Sequence, residues 1–404
     1  MKSFQNNVLL FAALLVVFQL LSGCSSSSEK PVSESTTHGN QKILSLLIYN
    51  RVDKQSAAQF ERMFKTGEFD FNYCLNEKPF TCFGGNVLHY AALKGNLNRV
   101  KDVLARGADI NSTGVFKQTV LHYAAESGNL ELVQWLIKQG ADINAKSECE
   151  WTVLHAAALS GKMKLVQWLV QQGMDVNANA LFGTPLHPAA VSGNLELVQW
   201  LVNQGVDVNA EANFGNALNF AAESGNLELV QWLVEKGLKV NVKRAFDMTA
   251  LHFAAESGNL KLVQWLVEHG ADVNAVSESG FTALHFAALS GNLEMVQWLT
   301  KQGLDIKAKG SEGNSVIHFA ARSGNTELVQ WLIEQGFDVN EKNNNGNTPL
   351  HSAAESGCLK MVQWLVEHGA DVSAKGSGGR TAVESAMDYY NPDVVEWLIN
   401  QRKK

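Results

Sequence analysis

Apolar residues along most of this chain recur in a short, fixed pattern. In the stretch 119–144, an apolar group running through Ala124-Ala125 ends at Gly128, and a second group, Leu130, Leu132, Val133, Trp135, Leu136 and Ile137, ends at Gly140. Thr119 and Asn129 stand where helix N-caps belong, and the two glycines where helices stop. The pattern therefore predicts two helices of two or three turns each. On a helical wheel the second group covers an arc of roughly 220°, leaving Glu131, Gln134 and Lys138 on a narrow polar stripe. Helices this short are marginal in water by themselves, and one wetted on so narrow a stripe has packed neighbours on several sides. A linear stack of helix pairs supplies such neighbours at every turn of the pattern.

The pattern is written about eleven times. The dipeptide Leu-His or a variant begins at Leu88, Leu121, Leu154, Leu186, Leu218, Leu251, Leu284, Ile317, Leu350 and Val383, at spacings of 33 residues with two of 32. Upstream, Phe60 to Gly67 followed by Asp70 and Asn72 matches the second half of the unit, so a degenerate copy precedes the ten clear ones. A chain of 404 residues would ordinarily hold two or three globular domains, but a repeated chain grows without enlarging any single core. Residues 42–404 are thus expected to form one repeat domain whose last copy acts as the C-terminal cap.

Asn347-Thr348-Pro349-Leu350-His351, then Ala353-Ala354, Gly357 and Gly369-Ala370-Asp371-Val372, resemble the ankyrin repeat, and the resemblance covers about nine-tenths of the chain. It implies an all-α solenoid of helix-turn-helix units with hairpin-like fingers, in which fingertips and first helices line a concave face. It also implies a protein partner without naming one, since stacks of this kind bind unrelated targets.

The N-terminus carries a different signal. Lys2 precedes an apolar run from Val8 to Leu21, about 14 residues, short of the ~20 that a membrane-crossing helix needs. The run closes on Leu21-Ser22-Gly23-Cys24, which resembles the lipobox of bacterial lipoproteins. The resemblance implies cleavage of residues 1–23, acylation of Cys24, and a lipid anchor too strong to dissociate readily once two or three chains are attached. Residues 24–41 then read as a Ser/Thr-rich tether. Ser25, where lipoproteins of the inner membrane tend to carry aspartate, favours an outer-membrane position facing the periplasm in a Gram-negative host.

Composition narrows the chemistry. With a net charge of −7 and acids spread over the repeats, the chain has no basic footprint for nucleic acid. No phosphate loop, G-x-S-x-G or H-E-x-x-H motif occurs, so no enzyme, cofactor, metal or small-molecule substrate is expected. Eight of the 11 histidines, His89, His122, His155, His187, His252, His285, His318 and His351, share one repeat position and are expected to brace the turn beside the preceding threonine. Nine tryptophans from Trp135 to Trp397 also recur in register, as a packed ladder or an outer aromatic stripe. The recurring acids Glu126, Glu223, Glu256 and Glu355 are expected on solvated helix faces. Cys74 and Cys82 flank a small insertion where an exported protein can form a disulfide; Cys149 and Cys358 are expected free.

Departures from the repeat's own needs point to the partner site. Phe116, Trp151, Phe182, Phe214, Phe246 and Phe281 place one aromatic on each of six successive fingertips, whereas the last three fingers are polar. The same central region carries both short spacings, Pro188 inside a first helix, and Asn219 where histidine is expected. A protein-binding face centred on Trp151, Phe182 and Phe214, extended by Leu159 and Val191, is one reading; rings folded back as local clips are the other. The expected function is a membrane-anchored adaptor or inhibitor. Two alternatives remain, a membrane-bound hydrolase with the repeats as scaffold and a secreted, host-directed effector.

Overall fold

The computed structural model describes residues 86–401 apart from 214, 244 and 390, together with residue 62. Cys24, the tether, the degenerate first repeat other than Arg62, and the Cys74–Cys82 pair lie outside those residues. The chain divides into two compact units, one ending at Ser224 and the other beginning at Gly225.

In the first unit the helices are α1 (Val87–Leu93), α2 (Leu97–Ala105), α3 (Val120–Glu126), α4 (Leu130–Lys138), α5 (Val153–Leu159), α6 (Met163–Gln171), α7 (Leu186–Val191), α8 (Leu195–Asn203) and α9 (Ala217–Ser224). The first helices α1, α3, α5, α7 and α9 pack side by side in chain order, and α1, α3, α5 and α7 each pack on their own second helix. The second unit holds α10 (Leu227–Glu235), α11 (Ala250–Ser257), α12 (Leu260–Glu268), α13 (Ala283–Leu289), α14 (Leu293–Lys301), α15 (Val316–Ser323), α16 (Thr326–Glu334), α17 (Pro349–Ser356), α18 (Leu359–Glu367), α19 (Ala382–Asp388) and α20 (Pro392–Gln401). There α11, α13, α15, α17 and α19 form the row of first helices, each seated on the helix that follows it. Fingers join successive pairs. One of them closes as a two-residue antiparallel hairpin, β1 (Glu211–Ala212) on β2 (Gly215–Asn216).

The elements follow from their sequences. First helices are almost wholly buried, as in α3, where Val120 to Ala125 are all core, because small alanines let neighbouring first helices approach closely. Second helices bury one stripe only: Leu132, Val133 and Leu136 in α4, with the same three positions repeated in α6 and α8. Fingers within a unit are joined by backbone bonds, Glu148 N–H donating to Phe116 O at 2.8 Å and Ser311 N–H to Ser279 O at 2.8 Å. Tertiary contact thus supplies the stability that helices of six to ten residues lack alone.

Asparagine does two jobs at the start of the second helices. Asn325 Oδ1 accepts from Leu328 N–H at 3.0 Å, and its Nδ2 donates to Gly291 O at 2.7 Å, one repeat away. At α18 that register holds Cys358, whose side chain makes no cap. Cys358→Asn is expected to stabilise the second unit by about 1 kcal/mol, from one cap and one inter-repeat bond; a thermal melt of the intact chain with no gain would show that the N-cap is not limiting there.

Candidate protein-binding face

The histidine register is structural. Thr119 N–H donates to His122 Nδ1 at 3.2 Å, the Thr119 hydroxyl lies 2.9 Å from the same nitrogen, and Nε2 lies 3.0 Å from Trp151 O on the next finger. An accepting Nδ1 leaves the proton on Nε2, which donates to that carbonyl; the ring is neutral and clamps its own helix start to the following repeat. His155 reaches Gly183 O at 3.0 Å, His187 reaches Ala210 O at 3.1 Å, and His318 reaches Asn347 O at 3.1 Å. Burial holds His89, His122, His155, His252 and His285 down at about 4. At Asn219 the ring is replaced by an amide that keeps the local half of the arrangement: Asn219 N–H donates to Asn216 Oδ1 at 3.2 Å, and Asn216 N–H to Asn219 Oδ1 at 3.3 Å.

The fingertip rings do not form a bare aromatic row. Phe182 is 8% exposed and Val191 5%, Trp151, Leu159, Phe116, Phe246 and Phe281 are half-buried, and Phe214 lies outside the described residues. The large apolar side chains exposed among the described residues are instead Val276 and Met387, at 45% and 48%. Trp151 lies edge-on to Phe182, ring centres 5.6 Å apart, and covers His155 at 4.8 Å. Phe281 lies 5.0 Å from Phe319 and 5.2 Å from His285. The tips fold inward because the imidazoles need cover.

Sequence reading missed where that cover otherwise comes from. In four copies the residue after the histidine, or after Asn219 in its place, carries a ring onto the histidine of the preceding repeat: Tyr123 on His89, Phe220 on His187, Phe286 on His252 and Phe319 on His285, at centre distances of 5.2 to 5.6 Å. This register has no ring at Ala156, Pro188 and Ser352; Trp151, lying on His155, stands in for the ring missing at Pro188. The signal was present as an aromatic period of 33 residues beside the histidines. Phe116 and Phe246 carry a further mark, left-handed φ values of 54° and 61° at positions of strain for a bulky residue.

The nine registered tryptophans are half-buried. Two stack on a histidine four residues later, Trp265 on His269 at 3.9 Å and Trp364 on His368 at 3.8 Å, and Lys236 Nζ sits 5.3 Å above Trp232. Cys149 is buried and free, and burial together with Glu148 pushes its thiol up to about 11, leaving no nucleophile at neutral pH. Cys358 is also free.

The recurring acids are not solvated as expected. Glu223 is buried, and Glu126, Glu256 and Glu355 are half-buried near the ends of their first helices. Burial raises the carboxyls of Glu126 and Glu256 to about 7. The same position reads Leu93, Glu126, Leu159, Val191 and Glu223 in the first unit, and Glu256, Leu289, Arg322, Glu355 and Asp388 in the second. The position after the histidine varies as well, while the Ala-Ala pair between the two is kept from Ala91-Ala92 to Ala353-Ala354. Variation is therefore concentrated at the first-helix ends and the fingers.

Among the described residues, no group of three or more His, Cys, Asp or Glu side chains could hold a metal ion, and no helix is long and apolar enough to cross a membrane. The helix pairs, fingers and clamping histidines define an α-helical repeat protein. The family of ankyrin repeats (3 copies) matches residues 8–147, 121–212, 218–310 and 317–404, and the chain belongs to the ankyrin-repeat family. Among solved structures it is similar to the human ASB11 ankyrin repeat domain, with 26% identity over 55% of this chain and 99% of that one and a TM-score of 0.42. No curated protein matches the chain.

Proposed function

We propose that the chain is a membrane-anchored adaptor or inhibitor that holds a protein partner against its first-helix ends and fingertips. The observation that carries this reading is the register Leu93, Glu126, Leu159, Val191 and Glu223 of the first unit, where side-chain chemistry changes at every step or two while the scaffold beneath stays constant. A stack selected for stability alone has no reason to alternate leucine with a partly or wholly buried carboxyl, which carries a desolvation cost that leucine does not. The left-handed backbone kept at Phe116 and Phe246 supports a part for the fingertips. Trp151 and Phe182 serve the site by packing edge to face between two successive fingers.

The anchor half of the proposal rests on Leu21-Ser22-Gly23-Cys24, with residues 1–23 removed, Cys24 acylated and 24–41 as tether to a repeat domain over 42–404. Its favoured location is the outer membrane facing the periplasm of a Gram-negative host. Replacing Cys24 with serine is expected to move the protein from the membrane to the soluble fraction; unchanged membrane recovery would end the lipoprotein reading. For the partner, in-cell cross-linking of the native chain is compared with that of Leu159→Lys. The expected result is one or a few partner proteins lost from an equally folded variant. Identical cross-links from both would remove the first-helix face as the site.

A further inference from the structure

We propose that Asn345, at the tip of the finger between α16 and α17, is a site of spontaneous covalent modification, in which its side-chain amide is lost as ammonia and isoaspartate or aspartate is left behind. Asn345-Gly346 is the one Asn-Gly step in the sequence. The reaction favours such a step because the attacking atom is the backbone nitrogen of the next residue, which glycine leaves uncrowded. Four asparagines stand on this finger, and three of them are held. Asn343 Nδ2 donates to Asn314 Oδ1 at 2.7 Å, while its Oδ1 accepts from Asn345 N–H and Asn347 N–H at 3.0 and 2.9 Å. Asn344 Nδ2 donates to Ser311 O at 3.2 Å, and Asn347 Oδ1 accepts from Ser377 N–H at 2.9 Å. Asn345 is exposed, and its carboxamide has no hydrogen-bond partner among the described residues.

The Gly346 nitrogen, its proton given up to hydroxide, attacks Cγ of Asn345. The N–Cγ bond forms, the Cγ–Nδ2 bond breaks, and the amide nitrogen leaves as ammonia with a proton from water, giving a cyclic imide. Water then opens the imide at either carbonyl: attack at Cγ leaves aspartate, and attack at the backbone carbon routes the chain through the side chain as isoaspartate. In the folded finger Gly346 N–H donates to Asn343 O at 3.0 Å, so that bond opens first, and openings at loop tips are among the least costly in a fold. Glycine is required at 346, where φ is +79° and a Cβ would stand 2.9 Å from Lys375 O. Asparagine before it is not required, since Ser279, Glu312 and Gly378 fill that place in other fingers. Isoaspartate adds a methylene to the chain between Asn343 and Asn347, whose N–H to O bond of 3.0 Å closes the finger. Asn347 O also lies 3.1 Å from His318 Nε2, so the lengthened tip loosens a clamp between repeats.

The test incubates the intact chain in mildly alkaline buffer, with Asn345→Ser as control, and follows every asparagine by peptide mass spectrometry. Conversion at Asn345 is expected to outpace that at any other asparagine of residues 86–401 by about tenfold, and to quicken as hydroxide rises. A methyltransferase specific for isoaspartate should label the aged native chain, and Asn345→Ser should lose most of that label while keeping the native melt. The separated isoaspartate form should melt below both the native chain and Asn345→Asp, which carries the charge on a backbone of unchanged length. Conversion at Asn345 no faster than at Asn343 and Asn344 would overturn the assignment. An isoaspartate form that melts with Asn345→Asp would overturn the loosened clamp.

Discussion

Acidification from about pH 7.5 to about pH 5 is expected to unfold much of the repeat stack. Five buried histidines titrate near 4 in the folded protein, against an ordinary value of 6.5, because desolvation disfavours the imidazolium and Nδ1 already accepts a hydrogen bond. Between those values the unfolded chain binds more protons than the folded one, so stability is fully present above 6.5 and drains away as pH falls towards 4. At pH 5 each such histidine withdraws about 2 kcal/mol. His187, His318 and His351 are shifted in the same direction. Glu126 and Glu256 act oppositely: carboxyls raised to about 7 take up protons more readily when folded, and so favour the fold as pH drops from 7 towards 4.5. Two acids at about 2 kcal/mol each, discounted for their partial exposure, do not offset five or more histidines. Urea titrations followed by circular dichroism should show the midpoint falling sharply between the two pH values. A midpoint that stays put or rises would mean that the imidazoles are charged in the folded chain and that the clamp is wrongly described.

Gly183→Ala is expected to cost about 3 kcal/mol or more, far beyond the usual effect of adding one methyl group. Gly183 sits at φ +87°, and a Cβ there would stand 2.5 Å from His187 Nδ1 and 2.8 Å from the Cβ of Ala212. Its carbonyl also accepts from His155, so displacement breaks a clamp on either side. Gly173→Ala is the control: φ is +92°, yet no atom lies within 4 Å of the added methyl. That variant should lose only the left-handed penalty of about 1–2 kcal/mol. The two are separated by thermal melts of the purified chain, and equal losses would show that conformation alone, with no contribution from the packed finger, sets the requirement for glycine.

Much of this architecture was legible because the same rule is written repeatedly. The threonine and histidine three residues apart, the asparagine before most second helices and the glycines after most helices declared their elements, and α3 and α4 fall where Thr119, Gly128, Asn129 and Gly140 place them. The binding face was harder to read. Fingertip position alone argued exposure for Trp151 and Phe182, but exposure depends on what else needs covering: Trp151 lies on the buried imidazole of His155, and Phe182 packs edge-on against Trp151 from the next finger. Glu126 and Glu256 misled in the opposite direction: a charged residue on a helix suggests solvent, and only the approach of adjacent first helices removes it. Both misreadings concern contacts across a repeat boundary. Such contacts lie about 33 residues apart in the chain, beyond the reach of a local pattern.

Hydrogen exchange of the intact chain, with and without the partner captured by cross-linking, tests the central claim most directly. The account predicts slowed exchange at the ends of the first helices Val153–Leu159, Leu186–Val191 and Ala283–Leu289 and in the fingers beside them, with the second helices unchanged. Protection confined to second helices such as Met163–Gln171 and Leu260–Glu268 would place the partner on the tryptophan side and contradict it.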